Sequence, residues 1–232
     1  MVSESEVLAF KKDYCHENVT ISRILRAELA NWVQEPILDV GCGLGDIALM
    51  AFPEKKVYLL DILDFSKEPK SENHTRLQVD FWNYEPSESE LPGTLLFSHV
   101  LQFLDDNPPR FRDRLRRLQA SRLVTVTNID SGVLSKIVKW ADTHLESHNP
   151  EREEPELFAD FRQVGEWRFE AHLTCPDFET LAEQVLYLLD VDPRRRQNLG
   201  LREFLESQLS EPSFGIQQHV VAYSRGAQNE ST

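Results

Sequence analysis

Apolar positions along the chain alternate between a helical period and a strand period. Between residues 7 and 33, Ile21, Ile24, Leu25, Leu29 and Trp32 recur on one face with Arg23, Arg26 and Glu28 between them, which predicts a helix. Pro36 stops that pattern and opens a strand over about 37–41. A second strand is predicted at Val57–Leu60, ending at Asp61. The polar run Ser66–Asn73 reads as a short helix or loop, and Leu77–Asp80 and Thr94–Ser98 as two further strands. Asp106-Asn107-Pro108-Pro109 suits a helix start, followed by the stripe Phe111, Leu115 and Leu118. Arg122–Thr127 has strand character, and Val133, Ile137, Val138, Ala141 and Leu145 return to helical spacing. A polar loop spans Ser147–Glu156. Beyond it Trp167, Phe169, Ala171 and Leu173 alternate with charged or polar residues, as in a strand with one wet face. Two helices follow, one through Phe178, Leu181, Val185 and Leu189, the other through Leu201, Phe204 and Leu205. Gln217–Tyr223 is the last strand.

Strand and helix alternate for about 145 residues, which implies an α/β fold: a doubly wound, mostly parallel sheet with helices on both faces. No repeat or linker divides the sequence, so residues 1–232 are expected to form a single domain. In such sheets ligands bind at the carboxyl ends of the strands, and Asp39, Asp61, Asp80 and Ser98 all fall at or near those ends.

The densest chemical signal is Pro36-Ile-Leu-Asp-Val-Gly41-Cys42-Gly43-Leu44-Gly45-Asp46, a buried strand running into a turn with glycine at alternate positions. Alternate glycines let a bulky ligand approach the backbone and allow dihedrals other residues avoid. The apolar run Ile47–Phe52 then opens a helix towards the same spot. Asp39 can accept hydrogen bonds from the turn amides or counter a positive group on a ligand. Asp61, rather than nearby Asp64, is placed to accept two ribose hydroxyl protons. Asp80 offers an acceptor for an exocyclic amine, with Phe81 and Trp82 beside it as aromatic surface or as core. These features ask for a ribose and a base. The spacing Gly41-x-Gly43-x-Gly45, followed by Asp46, departs from the dinucleotide pattern G-x-G-x-x-G and sets a carboxylate where a pyrophosphate would lie. It suits a ligand that carries an ammonium and a sulfonium.

Composition narrows the partners. With 39 acidic and 25 basic residues the net charge is −14, which opposes nonspecific binding to nucleic acid and to anionic membranes. The arginine groups 110–117 and 194–196 read as solvated helix faces. Cys15, Cys42 and Cys175 form no metal-binding spacing and fit a reduced, cytoplasmic setting. No apolar run is long enough to span a bilayer.

The stretch Ile37–Gly45 resembles the first motif of the class I S-adenosylmethionine-dependent methyltransferases. Leu59-Leu60-Asp61 resembles the second, Val79-Asp80-Phe81 the adenine-contacting motif, and Leu95–Leu104 the fourth-strand segment beside the methionine end of the cofactor. The resemblance covers roughly residues 10–145. It implies a seven-stranded sheet with an antiparallel last strand and S-adenosyl-L-methionine as cofactor. It also implies a cofactor-binding set of Asp39, Gly41, Cys42, Gly43, Gly45, Asp61, Ile62, Asp80, Phe81 and Ser98, although the family often has aspartate or asparagine where Ser98 stands. An N-terminal helical lid (about 7–33) and a helical acceptor-side insertion (about 176–210) belong to the same expectation. Methyl transfer needs a nucleophile held in line and water excluded, and a hydroxyl acceptor gains from a base. An imidazole titrates near neutrality, which makes His99 the first base candidate, with Tyr14 in the lid. His172 and His219 lie in the late strands and read as exposed. The expected reaction is methylation of a nitrogen or oxygen of a small molecule, without a metal, by a chain able to form a homodimer. Methylation of a protein or peptide and a noncatalytic cofactor-binding role are the alternatives.

Overall fold

The computed structural model describes residues 16–64, 72–104, 107–145, 155–189 and 200–226. Seven strands, β1 (Ile37–Val40), β2 (Val57–Asp61), β3 (His74–Gln78), β4 (Thr94–Ser98), β5 (Arg122–Asn128), β6 (Phe161–Thr174) and β7 (Ser213–Arg225), form one sheet in the order β3-β2-β1-β4-β5-β7-β6. The sheet is mostly parallel and turns antiparallel at its last strands, with helices flanking it, as the strand–helix alternation requires. The helices are α1 (Glu17–Ile24), α2 (Asp46–Ala51), α3 (Pro108–Leu118), α4 (Gly132–His144), α5 (Phe178–Leu188) and α6 (Leu201–Gln208).

Two compact units divide the described residues. One takes those of 21–127, 152–167 and 219–232; the other takes those of 1–20, 128–151 and 168–218. In the first, Leu38, Val40, Tyr58, Leu60, Leu95, Phe97 and Leu123 meet Phe111, Leu115 and Leu118 of α3, so the stripe legible in the sequence is the buried one. In the second, Leu134, Ile137 and Ala141 of α4 pack with Leu181 and Val185 of α5, Leu201 and Leu205 of α6, and Phe214 and Ile216 of β7. Here the buried Gln218 amide donates to Glu17 Oε1 (2.7 Å) and Asn128 Oδ1 (2.5 Å).

Several boundaries differ from expectation. The first helix is described from Glu17 and widens into a π-helical turn at Leu25–Leu29, short of residue 33; residues 7–15 lie outside the described residues. The third strand sits at His74–Gln78 rather than 77–80, because the Asp80 carboxylate accepts the Trp82 amide (2.7 Å) and turns the chain into a single 3-10 turn, Phe81–Asn83. β6 begins six residues early, where Arg162, Gln163 and Val164 are all exposed: a strand at the sheet edge is held by its ladder and needs no alternation there. The loop expected up to Glu156 gives way at Pro155 to a helical turn that buries Leu157 and Phe158. Of the insertion, α5 and α6 are described.

The arginines of α3 are not a uniformly solvated face. Arg114 is only 4% exposed. Its Nε donates to Phe81 O at 3.0 Å, one Nη donates to Tyr84 O, and the other meets Glu85 Oε1 at 3.3 Å, so it holds the chain between β3 and β4. Arg110 stacks over Trp82, and Arg116 pairs with Asp160 and Asp113. Arg194–Arg196 lie outside the described residues. Replacing Arg114 with Ala strands two buried carbonyls and is expected to cost about 2–4 kcal/mol. Urea unfolding checks this, and a loss indistinguishable from zero would contradict the bracing role.

Candidate functional site

The register of the parallel strands builds the site's rim. Val40 of β1 stands opposite both Leu60 of β2 and Phe97 of β4, so Gly41, Asp61 and Ser98 follow at one level at the carboxyl ends. At Gly41 the chain leaves the sheet into a turn whose three glycines all take left-handed dihedrals, with φ of +65° at Gly41, +53° at Gly43 and +77° at Gly45. Side chains rarely adopt that region. Packing adds to the demand. A Cβ at Gly41 would overlap Val100, and one at Gly45 would come within 2.9 Å of Leu59 Cδ1.

Four of the turn's amides have acceptors within the protein. Gly41 and Cys42 donate to Leu60 O (2.8 and 3.1 Å), Gly45 donates to Cys42 O (2.8 Å), and Gly43 donates to Asp61 Oδ2 (2.8 Å). The other Asp61 oxygen accepts from Leu63 N at 3.0 Å. Asp61, not Asp39, is therefore the carboxylate that braces the turn, which corrects one of the two roles expected of Asp39. Asp39 faces inward, 2% exposed, and its carboxyl is pushed up to about 8, first by burial and then by the Asp61 charge, with Arg76 opposing. Burial and the same two acids also push the Cys42 thiol up, and its Sγ lies 3.5 Å from Gly43 O, so it is an uncharged thiol within the turn.

The remaining expected residues are not all brought to this rim. Ser98 ends β4, and its Oγ is buried without a hydrogen-bond partner. His99 follows with φ of +53°, rare for a residue with a side chain, and its amide donates to Val126 O (3.0 Å). Ile62, next to Asp61, is 65% exposed, and Asp64 is exposed too. Asp80 caps its own turn, while the Phe81 ring is buried against Phe97, Phe111 and Trp82. Phe81 thus contributes its ring to the core. Tyr14 lies outside the described residues. His172 is exposed, as expected, beside Glu170 (3.2 Å), whereas His219 is buried and faces Glu166 Oε1 at 3.1 Å, contrary to its expected exposure. Among the described residues no cluster of His, Cys, Asp and Glu is arranged to hold a metal, and no helix is long and apolar enough to cross a membrane.

Two site residues escaped the sequence. Val100 supports Gly41 from the β4 side, and Arg76 of β3 reaches the turn, donating from Nη2 to Leu44 O at 2.7 Å. Arg76 sits in a mixed polar strand, and only the sheet register shows what it reaches.

No family model and no curated protein matches the chain in sequence. Solved structures do match in shape. The N-methyltransferase NodS of Bradyrhizobium japonicum, in complex with S-adenosyl-L-homocysteine, superposes with a TM-score of 0.53 at 13% identity, covering 93% of this chain and 90% of its own. The magnesium protoporphyrin IX methyltransferase of Synechocystis gives 0.52 at 12%, covering 90% and 83%. A geranyl diphosphate methyltransferase in complex with S-adenosylmethionine gives 0.51 at 16%, covering 96% and 91%. The likeness is one of fold: the chain has the Rossmann-like architecture of the class I methyltransferases.

Two measurements probe this geometry. Gly41→Ala is expected to lose about 2–4 kcal/mol from its dihedral and its clash with Val100, and adding Val100→Ala should recover part of that. Full-size loss in the double variant would show that the dihedral alone matters. For Asp39 the folded carboxyl titrates near 8 and the unfolded one near 4, so its contribution to stability is complete below about pH 4 and is lost as pH rises to about 8. Asp39→Asn should therefore gain on the native chain across that window in urea midpoints, and parallel pH profiles would refute the buried-acid assignment.

Proposed function

We propose that the chain transfers a methyl group from S-adenosyl-L-methionine to a nitrogen or oxygen of a small molecule. The observation that carries this reading is the left-handed turn Gly41–Gly45 braced by Asp61 at the carboxyl ends of β1, β2 and β4. The residues present fit the cofactor. Glycine leaves the backbone bare for a nucleoside. Asp61 is held by two amides, which fixes where its carboxylate can accept ribose hydroxyls. Ile62 offers exposed apolar surface to a base, with Asp80 as the acceptor for its amine. The buried carboxyl of Asp39, which ionises as pH rises to about 8 or beside a cation, and the unpartnered Ser98 Oγ supply an acceptor and a hydroxyl for the amino-acid end.

When bound, the cofactor supplies an electrophilic methyl on a sulfonium. The chain's part is to orient, exclude water and manage one proton. His99, held at an unfavourable dihedral beside the rim, is the candidate to take that proton from a hydroxyl or ammonium acceptor. The fold neighbours named for a protoporphyrin and for geranyl diphosphate act on small molecules by their names, and the net charge of −14 favours a neutral or cationic acceptor.

Calorimetric titration with S-adenosylmethionine, S-adenosylhomocysteine and NAD tests the cofactor. The first two should bind, and Asp61→Ala should weaken them about tenfold or more, the cost of charge-assisted hydrogen bonds. NAD binding without either of the others would overturn the reading. A screen with labelled cofactor against amines, phenols and carboxylic acids then identifies the accepting atom. In that assay His99→Asn should bind cofactor as the native chain does and turn over about 100-fold more slowly.

A further inference from the structure

Arg76 is the one cation that the structure brings to the glycine turn from a neighbouring strand, among the described residues. In the ladder Arg76 stands opposite Leu59, and Leu59 stands opposite Asp39. Alternate residues on a strand share a face, so Asp39, Leu59 and Arg76 line one face of three adjacent strands, with Asp61 two residues beyond Leu59. Leu59 is the side chain that a Cβ at Gly45 would strike. The guanidinium extends past it and donates from Nη2 to the carbonyl of Leu44, inside the turn, at 2.7 Å, while Nη1 is buried and meets no protein acceptor.

A guanidinium placed only for packing would be a costly choice, since burying a charge without full hydrogen bonding destabilises the fold. What Arg76 contributes instead is directed at one segment. It anchors the carbonyl between Gly43 and Gly45, the part of the turn least tied to β2 by its own amides. Its charge also acts on both Asp39 and Cys42, offsetting part of the repulsion between Asp39 and Asp61.

We propose that Arg76 is a positioning residue for the nucleoside: it pins the Leu44 carbonyl to the edge strand and balances the paired acids so that the turn holds its ligand-ready shape. This rests on the cofactor reading above. It predicts that ligand affinity and the pH dependence of binding change together when the guanidinium is removed. The groups that face Asp39 are Asp61 from β2, Arg76 from β3 and Cys42 from the turn. Loss of the one cation among them makes Asp39 harder to ionise and moves the pH at which a cationic ligand gains affinity upwards.

The test uses the full chain with Arg76→Met and Arg76→Lys. Without ligand, hydrogen exchange at the Gly43 and Gly45 amides should rise at least about fivefold in Arg76→Met, with Leu95–Phe97 of β4 unchanged. Affinity for S-adenosylhomocysteine should fall about tenfold, the scale of one hydrogen bond from a charged donor. The midpoint of the pH profile for S-adenosylmethionine binding should move up in Arg76→Met and stay near the native value in Arg76→Lys, which keeps the charge. Native exchange rates at both glycines in a folded Arg76→Met protein would overturn the proposal. So would faster exchange with unchanged affinity and pH profile, because the residue would then serve the fold alone. If Arg76→Met does not fold, Arg76→Lys carries the test: it should retain the native pH midpoint yet show faster exchange at the turn, and native exchange there would be fatal. A native chain that binds neither ligand would refute the cofactor reading, while the exchange measurement would still decide whether Arg76 holds the turn.

Discussion

The hydrogen bond from the Gly43 amide to Asp61 Oδ2 is the constraint on which the site depends. It joins the end of β2 to the turn that leaves β1, and it can form only because the parallel register brings Val40 and Leu60 level. A shift of one residue in β2 would carry Asp61 to the opposite face of the sheet, away from the turn. The left-handed glycines are the other half of the same constraint. Their dihedrals bend the backbone back over the strand ends tightly enough for one carboxylate to brace the turn while remaining on the rim.

Charge around the turn is arranged to be costly. Asp39 is buried next to a second acid, and the nearest compensating charge comes from an edge strand. In an ordinary core such a carboxyl would be replaced by an apolar side chain of similar volume at little cost or some gain. Its presence inside the rim, with Ser98 Oγ also lacking a protein partner, is a cost to stability that the fold carries at this place. A cationic ligand would relieve the repulsion between the acids. Cys42, held as a neutral thiol, adds no further charge to the balance.

The rim is carried by the unit whose core lies between the sheet and α3, and bracing extends beyond the ligand-facing residues. Arg114 ties down the carbonyls of Phe81 and Tyr84, and the ring of Phe81 is locked among Phe97, Phe111 and Trp82. Asp80 therefore sits at the mouth of a segment that is packed from beneath, and its position is set by α3 as much as by β3. The other unit has its own core, built on α4, α5 and α6.

Much of this was legible in the chain itself. Helical and strand periods gave the element order, because burial on one face leaves a repeating trace in any single element. The alternate glycines, with Asp61 after the second strand, disclosed the cradle, because left-handed dihedrals leave few residue choices. Other features required the assembled sheet. Asp61 replaced Asp39 as the brace because hydrogen bonds across strands depend on register, which no local pattern encodes. His219 turned out buried and Arg114 internal, since a polar residue's burial depends on whether a partner waits on another element. Arg76 was invisible for the same reason: its carbonyl partner lies 32 residues away in sequence. Local dihedral demand and periodicity belong to the sequence. Which charges meet belongs to the tertiary structure, because electrostatic and hydrogen-bonding partners are chosen by distance in space.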